Sequence, residues 1–307
     1  MPTLKEVPQV GNLLATALAA APVTHGALTV VPLLAPNLDD PDWLTLDEAG
    51  DRAAVTEVSE AGSVPFLKVA NGSGRPLLLL DGDELIGAKQ NRILNTTVLV
   101  AARAEATIPV SCVEQGRWGY RGRQFEPGDA SLYASIRAKK AAQVSRSIQA
   151  GHGHQADQGE VWATLHARAA ELHVHSMTAA MRDVYARHEE DMTAARRALA
   201  AQPGQVGALV FMAGRWVGLE LLAGPRIFGR AWPRLCAGYV ADAIGRESKP
   251  RRRPDATGIL ARVAQGRAEP APAVGMGAEY RLDGPRLAGA ALVTQRRVAH
   301  LMAFPVS

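Results

Sequence analysis

The sequence contains little cysteine, no strong excess of charge and no long apolar run. Its 307 residues include only two cysteines, Cys112 and Cys236, which excludes a disulfide-rich scaffold and favours a reducing, cytoplasmic setting. The formal net charge of +4 is too small to indicate nucleic acid as a partner. No run reaches the roughly 18 apolar residues that a membrane-spanning helix needs, so we expect no membrane partner.

Apolar residues are plentiful: they make up 47% of the chain, enough to bury the core of one large domain. Runs rich in β-branched residues predict strands through residues 1–128. Helical spacing follows in 129–202, and a hairpin, a helix and terminal strands follow in 203–307. These patterns predict an α+β fold: a β-rich framework, of two packed sheets or a partly closed barrel, with a helical insert and a second helix at 225–246.

Local signals predict where the helices begin and end. Asn12 is expected to cap a first amphipathic helix, and Asp129 is expected to cap the first helix of the insert. Apolar residues three and four apart between 162 and 184 predict one long helix that ends before Pro203. Pro225 predicts the start of the later helix.

The segment DGDELIGAKQNRILN (81–95) is polar, although it lies between the apolar runs RPLLLL and TTVLVAA. Read as a loop between two buried strands, it cannot leave its side chains unpaired where it enters the core. It supplies three acids, two bases and three amides, and such donors suit phosphate or carboxylate oxygens. The segment therefore predicts a site for a small anionic ligand, with the binding residues Lys89, Gln90, Asn91, Arg92 and Asn95.

Arg92 is expected to be the main anchor, because its planar guanidinium can hold phosphate or carboxylate through two bonds. The alternative is architectural: Asp81 and Glu84 would pair with Lys89 and Arg92 in a self-contained network. The number of donors in the segment favours the ligand site.

A second polar segment, IPVSCVEQGRWGYRGRQF (108–125), also leaves the end of an apolar strand. Glu114 and Arg117 form either an ion pair or a substrate clamp, and Glu114 is also a candidate acid or base. Trp118 offers an aromatic platform on which a base or sugar could stack. Cys112 is expected to be buried and unreactive. We expect the two segments to meet at one concave site.

Other polar clusters carry less weight. His152 and His154 lie in a Gly-rich break with no fixed third ligand, so no metal site is predicted. The basic run Lys249–Arg253 is expected to be a solvated surface loop. No cofactor is assigned.

The segments GAKQNRILN (87–95) and PVSCVEQGRW (109–118) resemble a bacterial family, the ARG-and-rhodanese-phosphatase-associated protein domain. The resemblance continues through VWATLHARAAELHVHSMTAAMRDVY and the C-terminal hairpins, so it covers nearly the whole chain. The matched site positions are Glu84, Gly87, Lys89, Gln90, Asn91, Arg92, Asn95, Cys112, Glu114, Arg117 and Trp118. The stretches AGHGHQADQ and ESKPRRRPD depart from the family pattern.

The resemblance implies a role near ADP-ribose, NAD or RNA-repair chemistry in stress or defence systems, because the family is named for its genomic association with ADP-ribosylglycohydrolases and rhodanese-like phosphatases. We therefore expect a cytoplasmic module that binds a nucleotide-like or ADP-ribose-like anion. One alternative is an enzyme that uses Glu84 or Glu114 as acid or base, which predicts a buried carboxyl with raised pKa in a cleft. The other is a non-catalytic subunit that binds a protein of its operon through an exposed apolar patch.

Overall fold

The computed structural model describes residues 2–60, 62–247, 254–284 and 286–306. It confirms an α+β fold with a β-rich framework, which consists of a closed barrel, a larger antiparallel sheet and a small third sheet. In this part of the chain, no helix combines the length and the apolar character needed to cross a membrane.

The strands of the described residues are β1 (Leu18–Ala19), β2 (Val23–His25), β3 (Leu28–Leu34), β4 (Leu44–Thr45), β5 (Ala53–Glu57), β6 (Phe66–Asn71), β7 (Leu77–Leu79), β8 (Asp83–Gly87), β9 (Arg92–Leu94), β10 (Val98–Val100), β11 (Ala104–Cys112), β12 (Gln124–Ser131), β13 (Gln205–Met212), β14 (Arg215–Leu222), β15 (Arg267–Ala271), β16 (Ala278–Gly284), β17 (Leu287–Val293) and β18 (Val298–Pro305). The helices of the same residues are α1 (Pro8–Thr16), α2 (Leu46–Ala49), α3 (Ala134–Gln149), α4 (Gln158–Glu171), α5 (Met181–Arg187), α6 (Glu189–Ala198), α7 (Pro225–Ala243) and α8 (Ala256–Ala264).

The barrel has the strand order β11-β6-β5-β12-β8-β9, and β9 pairs with β11 to close it. Successive side chains of a strand point to opposite faces. Val55, Leu85, Leu94, Ile108 and Phe125 form one apolar cluster that fills the interior. A residue two positions away from one of these along its strand therefore also faces the interior.

The larger sheet runs in the order β1-β3-β13-β14-β18-β17-β16-β15, with β2 beside β3. Side chains of α1 and α8 share an apolar cluster with one face of this sheet. Side chains of α3 and α7 share a second cluster with the other face. Because both faces are covered, β13 and β17 are apolar along almost their whole length, as strands buried on two sides must be.

In the C-terminal half, the structure agrees with the expected hairpin and helix. The hairpin of β13 and β14 turns at Ala213-Gly214, and both turn residues have positive φ. Pro225 occupies the first turn of α7, where its missing N–H leaves no bond unmade. The helix continues through Pro233.

Two expected helix caps were wrong. Asn12 lies inside α1, which begins at Pro8, because proline already favours the first helical turn. Asp129 lies in β12, and α3 begins only at Ala134. The Asp129 carboxylate bonds Arg182, at 3.1 Å, instead of capping helix amides.

The expected long helix between 162 and 184 was also wrong: α4 ends at Glu171 and α5 begins at Met181. His173 and Ala179 have φ values of 53° and 51°, in a left-handed conformation that a right-handed helix cannot contain. The apolar spacing continues across the break because both helices bury the same kind of face, so the spacing alone did not reveal the break.

The polar segment 81–95 was expected to be a loop, but it forms two barrel strands joined by a short turn. β8 pairs with β12, β9 pairs with β11, and β8 and β9 pair with each other. Helix α8 was not expected either; Asp255 caps it by accepting a 2.9 Å bond from the Gly258 amide. The expected surface loop at Lys249–Arg253 lies outside the described residues.

A buried network of charges joins the barrel, α3 and the larger sheet. Arg137 of α3 donates from Nε to Asp81 Oδ1 at 3.2 Å and from Nη1 to Glu220 Oε1 of β14 at 2.5 Å. Lys140 also donates to Asp81, and His300 Nε2 lies 2.9 Å from Glu220 Oε2. Burial alone would raise the pKa of Glu220, but the charge of Arg137 and the hydrogen bond with His300 outweigh burial and lower it to about 2.

We expect Glu220→Gln to lower the free energy of unfolding by about 3–5 kcal/mol, because it removes a partner from a buried ion pair and leaves Arg137 undercompensated. Urea denaturation at neutral pH measures this loss. The matched control is Glu105→Gln, in the exposed pair with Lys68 at 2.8 Å, which should cost at most about 1 kcal/mol. Equal effects of the two substitutions would contradict a structural role for the network.

Candidate functional site

The polar side chains of β8 and β9 face two different places, the barrel interior and the helices outside the barrel. Glu84 lies opposite Ile93, and Leu85 lies opposite Arg92. Leu85 belongs to the barrel cluster, whereas Ile93 belongs to the cluster shared with the helices. Arg92 therefore faces the barrel interior, and Glu84 faces the helices outside it.

Glu114 connects the two polar segments. Its Oε2 accepts from the Asn91 amide at 3.1 Å and lies 2.7 Å from Arg117 Nη2, while its Oε1 accepts from Thr178 Oγ1 at 3.2 Å. Burial raises the pKa of Glu114, but the hydrogen bonds from Arg117 and Asn91 outweigh burial, so that the pKa is lowered overall. Glu114 is therefore ionised at neutral pH.

Arg117 holds the turn between β8 and β9 in place. Its Nη1 donates to the Ala88 carbonyl at 2.7 Å, and its Nη2 donates to Asn91 Oδ1 at 3.1 Å. Gln90 adds a 3.0 Å bond from Nε2 to the Glu114 carbonyl. These contacts orient the residues on either side of the turn, including Arg92.

Arg92 is fully buried, yet only part of its guanidinium is bonded. Nη1 donates to Gln90 Oε1 at 2.8 Å, whereas Nε and Nη2 have no hydrogen-bond partner among the described residues. The guanidinium carbon lies 5.7 Å from the centroid of the Trp118 ring, which is 52% exposed. Lys89 Nζ lies 5.2 Å from the same ring and 5.1 Å from the ring of Tyr120.

Glu57 lies at the same end of the barrel. It follows Val55 by two residues on β5, so its side chain also points inward. Both of its carboxylate oxygens are buried and, within the described residues, have no partner. Burial lowers the pKa of Arg92, and the nearby Cys112 and Glu57 side chains oppose that shift. We call Glu57, Lys89, Arg92, Trp118 and Tyr120 the barrel mouth.

A separate polar cavity of about 340 Å³ lies between the barrel wall and the helices α5 and α6. It is lined by Asn91, Glu114, Arg121, Asp129, Thr178, Ala180, Arg182, Asp183, Tyr185, Ala186, Glu189, Met192 and Arg196. Within this lining, Arg182 Nη1 lies 3.1 Å from Asp129 Oδ1 and 2.8 Å from Glu84 Oε2. We call this space the helix-lined cavity.

Glu84 lies against Arg182 at the edge of the helix-lined cavity. Its side chain is buried, and Oε1 has no hydrogen-bond partner in the described part of the chain. Burial raises the pKa of Glu84 to about 7, although the charge of Arg182 opposes the shift. This is the buried carboxyl with raised pKa that the enzyme alternative requires.

The two polar segments do lie together, but their side chains divide between two places. Asn91 and Glu114 line the helix-lined cavity, whereas Lys89, Arg92 and Trp118 lie at the barrel mouth. The expectation of one shared concave site is therefore replaced by two neighbouring ones, joined by the hydrogen bonds of Glu114 and Arg117.

The self-contained network, in which the acids pair with Lys89 and Arg92, is wrong. Asp81 pairs with Arg137 and Lys140, and Glu84 pairs with Arg182. Asp83 likewise pairs with a helix residue, since Arg234 Nε of α7 lies 2.8 Å from its Oδ1. The acids of the segment thus bind the helices to the barrel.

Asn95 lies away from both places. Its amide nitrogen donates to the His154 carbonyl at 3.1 Å, and its side-chain oxygen accepts from Ser111 at 2.8 Å. His154 in turn lies 2.9 Å from Glu279. The side chains of Asn95 and His154 therefore contribute to the packing of the core.

Several residues of the two places were not predicted as site residues from the sequence, and Asp129 was predicted only as a helix cap: Glu57, Arg121, Asp129, Thr178, Arg182 and Arg196. Arg121 was within the second polar segment, and its position there was the one available signal. Thr178 and Arg182 were hidden because their region was read as one continuous helix. Glu57 carries no local signal, because only barrel closure brings it near Arg92.

Cys112 is buried beside Arg92, and burial raises the pKa of its thiol. Its backbone amide and carbonyl are held by Gln158 of α4, at 2.7 and 2.8 Å. Within the described residues, no three His, Cys, Asp or Glu side chains are grouped so that they could hold a metal ion.

Comparison with known proteins yields one match. A family model described as the ARG and Rhodanese-Phosphatase-superfamily-associated Protein domain matches residues 18–304, which include the barrel mouth and the helix-lined cavity. No curated protein and no solved structure matches the chain.

The raised pKa of Glu84 predicts a pH dependence of stability. Its value is about 7 in the folded chain against an ordinary 4.5, so the folded state binds more protons between these values. The contribution of Glu84 is therefore complete below about pH 4.5 and is lost as the pH rises through 7. We expect this group to lower the free energy of unfolding by roughly 3 kcal/mol across that range.

Glu84→Gln should remove this fall, and urea denaturation at several pH values measures it. Glu126→Gln, which changes an exposed carboxylate on β12, is the matched control and should leave the pH dependence unchanged. If the stability of Glu84→Gln depended on pH as the wild type does, the assignment of the raised pKa would be refuted.

Proposed function

The chain belongs to the ARG and Rhodanese-Phosphatase-superfamily-associated Protein domain family, and we propose that it binds a small nucleotide-like or ADP-ribose-like anion at the barrel mouth. The observation that carries this proposal is the incomplete bonding of Arg92. A buried guanidinium with two unbonded nitrogens loses hydrogen bonds that it would make in water. A ligand with acceptor atoms restores them.

The surroundings of Arg92 favour a nucleotide-like ligand. Trp118 and Tyr120 are 52% and 53% exposed, so they offer aromatic surface on which a base can stack. Lys89 places a second positive charge between the two rings. A planar ring joined to a negatively charged group is the ligand chemistry that fits both features.

A stress- or defence-related role in a reducing cytoplasm is part of the same proposal. It is supported by two free, buried cysteines and by the family's stated association with rhodanese-phosphatase-superfamily proteins. A non-catalytic subunit that binds another protein of its operon is the rival. The exposed Leu18 lies on β1, whereas the exposed Met177 lies between α4 and α5.

We expect Arg92→Met to abolish ligand binding while leaving the melting temperature unchanged or higher. Methionine keeps the apolar stem of the side chain but removes a buried, incompletely bonded charge, whose burial costs free energy. Binding is measured by calorimetry and thermal shift against ADP-ribose, NAD, AMP and GMP, because a ligand specific for the folded state raises the melting temperature.

Arg215→Met is the matched control, since Arg215 is exposed at the start of β14. It should bind as the wild type does. A large loss of stability in Arg92→Met would show that Arg92 is architectural, and undiminished binding would show that it is not the anchor.

A second candidate function, acid–base catalysis, is favoured by the opposite pKa shifts of two neighbouring carboxyls. The pKa of Glu84 is raised to about 7, and that of Glu114 is lowered. Two carboxyls whose surroundings push their pKa values apart suit the roles of proton donor and proton acceptor. Arg182 and Thr178, in contact with these carboxyls, line the helix-lined cavity where a substrate would lie.

If the chain converts a nucleotide that it binds, the rate should fall as the pH rises through about 7, because Glu84 then loses the proton that it donates. Glu84→Gln should reduce the rate by roughly 100-fold or more and remove this fall. Product formation is followed by chromatography over a pH series, with Glu126→Gln as the control. Conversion that is unchanged in Glu84→Gln would contradict a catalytic role for Glu84.

A further inference from the structure

The barrel mouth contains buried polar atoms of both kinds that lack partners among the described residues. Nε and Nη2 of Arg92 can only donate hydrogen bonds, and Oε1 and Oε2 of Glu57 can only accept them when the carboxyl is ionised. Native structures rarely leave such atoms unbonded, so each requires an explanation. Two donors and two acceptors at one end of a barrel indicate a bound group that has both.

Glu57 and Arg92 face each other across the barrel. In the strand order β11-β6-β5-β12-β8-β9, β5 and β9 are three strands apart in either direction, which places them on opposite walls. The two side chains point inward, as shown by their register with Val55 and Leu94. Within the described residues they form no direct ion pair, and Oε1 and Oε2 of Glu57 and Nε and Nη2 of Arg92 have no partner.

The end of the barrel is also covered by an aromatic ring. Gly62 lies beside both Glu57 and Lys89: a Cβ atom added to Gly62 would lie 3.5 Å from Glu57 Oε2 and 3.5 Å from Lys89 Nζ. The Glu57 carboxylate and the Lys89 ammonium are therefore neighbours. Lys89 lies next to Trp118, and the same Trp118 ring lies 5.7 Å from Arg92. Glu57 and Arg92 therefore lie on opposite walls at the end of the barrel that Trp118 covers.

A phosphate or carboxylate would not fit well between these side chains. An anion bonded to Nε and Nη2 of Arg92 would also lie near the unbonded carboxylate of Glu57, and like charges repel strongly where water is excluded. A neutral group that accepts from Arg92 and donates to Glu57 satisfies both. The anionic part of a nucleotide then extends outward, toward Lys89.

We propose that Glu57 and Arg92 bind the edge of a nucleobase that stacks on Trp118, and that the base is guanine. Guanine has two adjacent acceptors, O6 and N7, which suit a bidentate arginine. It has two adjacent donors, N1–H and N2–H, which suit the two oxygens of a carboxylate. The inference rests on the proposed function: it names the base that enters the barrel mouth, and it selects a guanine nucleotide over an ADP-ribose-like ligand, whose base is adenine.

Adenine satisfies the same atoms less well. In the same orientation adenine presents its ring acceptor N1 and its C2–H to Glu57, and its exocyclic amine replaces the O6 acceptor that faces Arg92, so both oxygens of Glu57 would stay unbonded. A buried charged group that loses a hydrogen-bond partner costs free energy. A site that binds its ligand through such hydrogen bonds therefore rejects ligands that lack the donor or acceptor atoms. The barrel mouth therefore predicts discrimination between two bases of similar size and equal ability to stack.

The segment that carries Trp118 must move to admit the base. Residues 115–123 contain three glycines, at 116, 119 and 122, and form no helix or strand, but Arg117 and the amides of Gly119 and Arg121 bond the turn between β8 and β9. The exposed faces of Trp118 and Tyr120 already meet solvent. Entry requires displacement of this surface segment, and the barrel strands stay in place.

The test measures the affinity of the full chain for GMP and AMP, which carry the same phosphate on different bases. The wild type should bind GMP about tenfold or more tightly than AMP. Glu57→Gln should lose this preference, because one carboxylate oxygen becomes an amide donor, and should bind GMP about as weakly as AMP. Glu60→Gln changes an exposed carboxylate three residues away and should keep the preference.

The outcomes separate the two proposals. Equal affinity of the wild type for GMP and AMP, or a preference that survives Glu57→Gln, would overturn the assignment of the base while nucleotide binding itself stood. Binding of neither nucleotide by the wild type would overturn both. A melting temperature of Glu57→Gln at or above that of the wild type shows that its loss of preference is not a loss of fold.

Discussion

The contact of Arg137 with Asp81 and Glu220 joins the barrel, α3 and the larger sheet. One guanidinium on α3 bonds a carboxylate beside the barrel and another in the larger sheet, and all three side chains are fully buried. A buried charge that loses its partner is strongly destabilising, so the barrel, the helix and the sheet can pack together only in the arrangement that keeps both bonds. Asp81 immediately precedes β8, and this arrangement therefore also places the strands that carry the site.

The acids and the bases of residues 81–95 have different tasks. Each acid binds an arginine from a different helix: Arg137 on α3, Arg182 on α5 and Arg234 on α7. These bonds explain much of the polarity of the segment without a ligand. Arg92 differs from the acids, because it faces the barrel interior and keeps two nitrogens unbonded among the described residues, where Glu84 keeps one oxygen unbonded. A polar residue that the surrounding structure does not satisfy is the usual mark of function in an otherwise consistent fold.

The sequence allowed the general architecture to be predicted, and its errors have a common cause. Runs rich in β-branched residues indicated the strands, and Pro225 indicated the start of α7. The break between α4 and α5 was missed because it depends on the backbone conformations of His173 and Ala179, which no residue pattern predicted. Asp129 was misread as a cap because its true partner, Arg182, is distant in sequence.

By itself, the sequence determined the α+β class and the chemical content of the site, since residue types and periodicity are local properties of the chain. Tertiary structure decided which of those side chains face each other. Glu57 meets Arg92 only because six strands close into a barrel, and Glu84 meets Arg182 only because the helical insert folds back over β8. Partners this far apart in the chain are selected by the packing of the whole molecule, and the pKa shift of Glu84 and the incomplete bonding of Arg92 follow from that packing.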